Sequence, residues 1–97
     1  MQAILDAISS PRRREILRLV WDRELSAGDI AARFDVTWPA VSQNLGILRK
    51  AGLVSERREA NRRFYRADHA ALGPLQVALQ EMWAQDLDRL RKVVKEQ

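Results

Sequence analysis

A mostly α-helical fold with one small β-hairpin is what this sequence predicts, and three observations lead to it. Apolar residues recur at helical spacing through most of the chain. Ser, Thr, Pro and Gly stand where helix ends need them. Between residues 53 and 67 the pattern changes to short extended runs rich in Val, Phe, Tyr and Arg. At 97 residues the chain is one domain at most, just long enough for a conventional hydrophobic core. It is 46% hydrophobic and 31% charged, a composition that folds rather than one that stays disordered.

Each element follows in order. Ile4, Leu5 and Ile8 share one face of a short first helix over about residues 2–8. Ser10-Pro11 opens a second helix, with Ser as cap and Pro at the first helical position. Ile16, Leu17, Val20 and Trp21 carry that helix to about Arg23. Ser26-Ala27-Gly28-Asp29 has the spacing of a capping box, with Asp in place of the usual Glu or Gln. Ile30, Ala31 and Phe34 then face one way on a third helix. Asp35-Val36 makes a turn, Thr37 caps again, and Val41, Leu45 and Leu48 form the inner face of a fourth helix that Gly52 ends. Leu53–Glu59 and Arg63–Ala67 read as two strands joined by Ala60-Asn61-Arg62, where Asn tolerates the positive φ of a tight hairpin. Pro74 opens a last helix of about 22 residues, roughly 33 Å long at 1.5 Å per residue. Two short capped helices around a tight turn (about 27–51), followed by a basic hairpin (about 53–67), make a winged helix-turn-helix filling residues 1–97 as a single domain.

Composition narrows the function. With no cysteine there is no disulfide, thiolate metal site or cysteine nucleophile, and His69 is the sole histidine. No nucleophile–base pair or phosphate-cradling glycine loop is present, so no enzyme is expected, and no cofactor. No apolar stretch approaches the roughly 20 residues that cross a bilayer. Residues 1–10 lack the basic start of a signal peptide, so a cytoplasmic protein is expected. The net charge of +4 is unevenly spread: residues 11–66 hold thirteen Arg and Lys against seven Asp and Glu, while residues 67–97 hold four against five. A basic middle suits one face of the fold meeting a polyanion.

The fourth helix carries the strongest signal for reading DNA. With Val41, Leu45 and Leu48 inward, its far side presents Pro39, Gln43, Gly46 and Lys50, flanked by Ser42 and Arg49, with Thr37 at its start. Gln pairs with adenine in a bidentate way, Ser bonds base edges or phosphate, and Arg and Lys suit phosphate. An interior helix Gly costs about 1 kcal/mol relative to Ala, which a close backbone approach to the major groove would justify. Trp38, about 60° from inward, either packs against the third helix or reaches a thymine methyl. In the hairpin, Arg57, Arg58, Arg62 and Arg63 crowd a short tip with Asn61. Such a wing lies along phosphates or drops an Arg, here Arg62, into the minor groove. Phe64 and Tyr65 point to opposite faces, so one of them is core.

Three stretches, Ser10-Pro11-Arg12-Arg13-Arg14-Glu15-Ile16-Leu17, Glu24-Leu25-Ser26 and "VTWPAVSQNLGILRKAGLVSERREANRRFYRAD", resemble the ArsR/SmtB family of bacterial winged-helix repressors. The resemblance covers nearly the whole chain, and "EMWAQDLDRLRKVVKEQ" is similar to the branch whose genes accompany a small ligand-binding protein. It implies a homodimer that sits on double-stranded operator DNA in the bacterial nucleoid and releases it when an effector binds. Two departures stand out: Ala60-Asn61 replaces the family's usual Gly-Arg at the wing tip, and Asn44 its common His. The metal-sensing members carry cysteines where this chain has Ser26 and Gly28. Asp68 and His69, the remaining candidates, are too few for a four-coordinate site. No metal is therefore expected, and His69 reads as a cap or surface residue.

The ends of the chain argue for self-association. On a helical wheel Leu72, Leu75, Leu79, Met82, Trp83, Leu87, Leu90, Val93 and Val94 cover about 140°, against the roughly 100° that one core requires. The first helix is also unusually apolar. An interface through Ile4, Leu5, Ile8, Leu79, Met82, Trp83, Asp86 and Leu90 on two terminal helices (about 2–8 and 74–95) accounts for both. Asp86 either pairs with Arg89 or fixes dimer register or receives an effector. Two other readings stay open: a winged helix that binds protein rather than DNA, and a repressor released by a small organic ligand.

Overall fold

The computed structural model describes the backbone of residues 2–95 and the side chains of residues 2–86. The elements in order are α1 (Gln2–Ile8), α2 (Pro11–Leu19), β1 (Leu25–Ser26), α3 (Ala27–Ala31), α4 (Trp38–Lys50), β2 (Val54–Glu59), β3 (Arg62–Ala67), α5 (His69–Leu72) and α6 (Leu75–Lys95). The hairpin of the sequence reading is part of a three-stranded antiparallel sheet ordered β1-β3-β2.

Helix starts obey local chemistry. The Ser10, Ser26 and Thr37 side chains accept the backbone N–H of Arg13, Asp29 and Ala40 at 3.3, 3.1 and 3.3 Å, satisfying one orphan donor of each helix. Pro11 and Pro39 occupy first-turn positions, where the missing N–H costs nothing. At the far end of α4, Gly52 takes φ 79°, and the N–H groups of Gly52 and Leu53 bond back to the carbonyls of Arg49 and Leu48. α2 stops at Leu19 rather than near Arg23, because the Val20 carbonyl accepts the N–H of Ala67 at the end of β3. A four-residue helix, α5, precedes the last one, and Gly73 at φ 54° turns the chain between them.

Ile16 and Leu17 from α2, Val20 just after it, Ile30 from α3 and Val41, Leu45 and Leu48 from α4 are fully buried, with Leu53, Tyr65 and Leu72 beside them. Of the aromatic pair on β3, Tyr65 is core, while Phe64 is half-buried under the guanidinium of Arg57. Arg13 and Arg14, on the same basic run, hold the fold: they donate to the carbonyls of Asp6, Ala7 and Ile8 at the end of α1. Arg13 also donates to Asn44 Oδ1 at 3.2 Å, tying α1 to α4, and Arg12 lies over the Phe34 ring.

His69 is neither cap nor surface. Its ring stacks on Trp21 with centroids 4.1 Å apart, and its Nε2 donates to the Trp21 carbonyl. Trp83 meets Trp21 edge-on at 5.1 Å, so three rings join the end of α2 to α5 and α6. Leu79 and Trp83 are thus buried against their own chain, at 3% and 9% exposure. Leu5 and Met82 remain exposed, Ile4 and Ile8 pack partly on the core, and Asp86 is half-buried. The Leu90 side chain lies outside the described residues.

Candidate nucleic-acid interface

α4 buries Val41, Leu45 and Leu48 as the periodicity requires, which leaves Pro39, Ser42, Gln43, Arg49 and Lys50 exposed beside the cap Thr37. A Cβ built on Gly46 would meet nothing within 4 Å, so no packing in the chain itself demands glycine there. Trp38 is 52% exposed, which removes it from the core. The wing faces the same side. A cleft of about 430 Å³ runs between α3, α4 and the hairpin, lined by Asp29, Trp38, Ser42, Asn61, Arg62 and Arg63 among others. Its lining brings the aromatic Trp38 and Tyr65 together with the guanidinium groups of Arg62 and Arg63.

The wing turn has two residues, Ala60 and Asn61, with Arg62 already in β3. The positive φ falls on Ala60, at 54°, rather than on Asn61. Register then sets Arg58 directly across from Arg63, a like-charge pair that is unfavourable in isolation.

Acidic side chains answer Arg57, Arg58, Arg62 and Arg63 near the wing tip. Arg57 grips Glu24 with two hydrogen bonds, Nη2 to Oε1 at 2.6 Å and Nε to Oε2 at 3.1 Å, and reaches Glu59 at 3.2 Å. This bidentate geometry holds the Glu24 carboxyl below its ordinary value and raises the guanidinium further. Arg57 therefore anchors the wing to the segment before β1, and it is a structural arginine. Arg62 donates to Ser26 Oγ at 3.0 Å and lies 3.7 Å from Asp29. Ser26 is 2% exposed and so serves as cap of α3 and as wing anchor at once. Glu56 lies within 4 Å of Arg49, Arg58 and Arg63 together. Burial, and then the charge of Glu56, push the Tyr65 phenol up, so it keeps the proton it donates to Glu56.

Residues 10–56, from the cap of α2 into β2, match the profile of the bacterial regulatory protein arsR family. SdpR, a transcriptional repressor of Bacillus subtilis, is 38% identical over 65 residues, which are 67% of this chain and 72% of SdpR. That settles the family. The chain belongs to the ArsR family of bacterial regulatory proteins.

HlyU, a transcriptional activator of Vibrio cholerae, is 42% identical over 62 residues, 64% of this chain and 57% of HlyU. A solved structure of HlyU superposes with a TM-score of 0.75 at 33% identity, covering 84% of this chain and 89% of that one. The biofilm growth-associated repressor of Agrobacterium fabrum is 40% identical over 65% of this chain, yet the match spans only about half of that relative's length, 54%. The winged helix-turn-helix architecture is thus shared with ArsR-family structures. In this ArsR-family chain Ser26 is engaged by Asp29 N–H and Arg62. Among the described residues no group of three His, Asp or Glu is placed to hold a metal ion, and no helix is long and apolar enough to cross a membrane.

Signals for most of these positions are present in the sequence; none marks Glu24 as the partner of Arg57 or Glu56 as that of three arginines. An acidic residue inside a basic hairpin reads as a solvated charge until the register shows what it faces.

Proposed function

We propose that this ArsR-family chain is a sequence-specific regulator of transcription that binds double-stranded operator DNA as a homodimer and represses its target. It is no enzyme on this reading, and it works in the bacterial cytoplasm on nucleoid DNA. One observation carries the proposal: Trp38 and Ser42 of α4 line the same cleft as Asn61, Arg62 and Arg63 of the wing. A helix with exposed Ser42 and Gln43 suits the major groove, and a basic hairpin beside it suits the flanking backbone. Two such helices in one dimer would lie roughly 34–36 Å apart, which asks for an inverted repeat spaced by about one helical turn. Repression is the sign that SdpR and the biofilm regulator suggest, whereas HlyU is an activator. Density of charge on the wing favours DNA over a protein partner.

Sequencing of the DNA fragments that the purified protein retains supplies the operator; fluorescence anisotropy then separates reading from anchoring. Gln43→Ala should cost about 1–3 kcal/mol on the operator and little on a random duplex. Arg62→Ala should weaken both and flatten the slope of log affinity against log salt by about one unit. Equal losses for Gln43→Ala on both duplexes would remove α4 from the reading role.

A further inference from the structure

Arg49 ends the recognition helix, Arg58 lies on β2 and Arg63 on β3, yet all three meet at one carboxylate. Glu56 Oε2 is 3.5 Å from Arg49 Nε and accepts from the Tyr65 hydroxyl at 3.4 Å. Its Oε1 is 3.6 Å from Arg58 Nε and 3.9 Å from Arg63 Nε. The Glu56 side chain is sheltered, at 17% exposure, while those of Arg49, Arg58 and Arg63 are 53%, 67% and 53% exposed. Every contact is longer than the roughly 2.7–2.9 Å of a direct charge-assisted hydrogen bond. Each arginine makes its recorded approach to the carboxylate through Nε. A tight ion pair such as Arg57–Glu24 would keep its arginine; this loose one does not.

We propose that Glu56 is a positioning residue that stands in for a DNA phosphate: in the free protein it gathers Arg49, Arg58 and Arg63 between helix and wing, and it suppresses binding to random DNA. The proposal rests on the DNA reading above. Its physics has two parts. Arg58 and Arg63 sit directly opposite one another, and without a shared anion they repel both each other and Arg49. A polyanion would relieve that repulsion at any sequence, so a chain lacking Glu56 gains affinity indiscriminately. With Glu56 present, a phosphate must compete with an internal carboxylate that also repels it. Random duplex, which offers charge alone, loses most. An operator adds base contacts to α4 and uses arginines already held at the helix–wing junction.

The test is Glu56→Gln, which removes the charge and keeps the shape, with Glu59→Gln as its control. Both variants change net charge by the same amount on the same strand, but Glu59 pairs with Arg57 rather than with the three arginines. Anisotropy on the selected operator and on a random duplex of equal length gives the affinities, and thermal melting confirms folding. Glu56→Gln should raise random-duplex affinity by about threefold or more and lower the operator-to-random ratio. Its salt slope on random duplex should steepen by up to about one unit for each phosphate newly contacted. Glu59→Gln should leave the ratio unchanged. Equal effects from the two variants would mean that net charge alone matters, and would overturn the proposal. So would an unchanged or weaker random-duplex affinity in folded Glu56→Gln.

A second measurement needs no variant. The Nε–H signals of Arg49, Arg58 and Arg63 in the unaltered protein should shift when random duplex is added, while that of Arg57 stays. Three unmoved signals on a protein that does bind duplex would sink the exchange with phosphate. If the unaltered protein binds neither duplex, the DNA reading itself fails and takes this proposal with it.

Discussion

Ala60 carries a φ of 54° at the first position of the two-residue wing turn, a conformation in which a Cβ crowds the backbone. Primed hairpin turns place Gly or Asn at positive φ for this reason. The left-handed penalty for an L residue is about 1–2 kcal/mol. Glycine's greater freedom in the unfolded chain offsets about 0.4–1 kcal/mol of that. Ala60→Gly should therefore stabilise the protein by about 0.5–1 kcal/mol, seen as a higher midpoint in thermal or urea unfolding. A lower midpoint would mean that the turn relaxes away from positive φ at no cost. The arginines divide at the same scale. Arg13, Arg14 and Arg57 are spent on the fold, each bonded to a carbonyl or gripping a carboxylate. Arg49, Arg58 and Arg63 reach Glu56 through long contacts, which hold them less tightly than Glu24 holds Arg57.

At the scale of elements, α4 combines two demands that Gly46 separates. Its inward stripe of Val41, Leu45 and Leu48 is dictated by packing, and its caps by the local backbone. Gly46 answers neither, since a methyl group there would meet open space. Gly46→Ala should raise helix and protein stability by about 1 kcal/mol, read from equilibrium unfolding. If the helix backbone approaches the groove closely at this residue, the same change should weaken operator binding by about threefold or more, some 0.7 kcal/mol. A variant that gains stability and keeps its full operator affinity would show that the glycine is merely tolerated.

For the whole molecule, the burial of Leu79 and Trp83 changes how self-association is tested. Both side chains already serve the protomer's own core, with Trp83 set edge-on against Trp21. An arginine at residue 79 would bury a charge within one chain and unfold it, whatever the oligomeric state. Met82, 41% exposed on the same helix, and Leu5, 42% exposed on α1, are the informative positions. Met82→Arg should leave the protomer folded by circular dichroism and convert a dimer to a monomer in sedimentation. A folded Met82→Arg protein that sediments as a dimer would move the interface away from this part of α6.

The sequence alone determined whatever depends on neighbours along the chain. Ser10, Ser26 and Thr37 each bond an N–H three residues ahead, and Gly52 ends α4 through carbonyls three and five residues back. Such features are legible because cap chemistry and helical periodicity act within one or two turns. The inward stripe of α4, and with it the exposed face bearing Ser42 and Gln43, followed from the same rule. Tertiary structure decided the rest. Leu25-Ser26 is a strand only because β3 arrives beside it with Phe64 and Tyr65, some forty residues later. α2 ends at Leu19 because Ala67 claims the Val20 carbonyl. His69 became a stacked, half-buried link between α2 and α5, and Glu56 the meeting point of three arginines. These outcomes rest on hydrogen bonds and charges brought within about 4 Å by the folding of distant segments, where a few ångströms separate a solvated charge from a bound one.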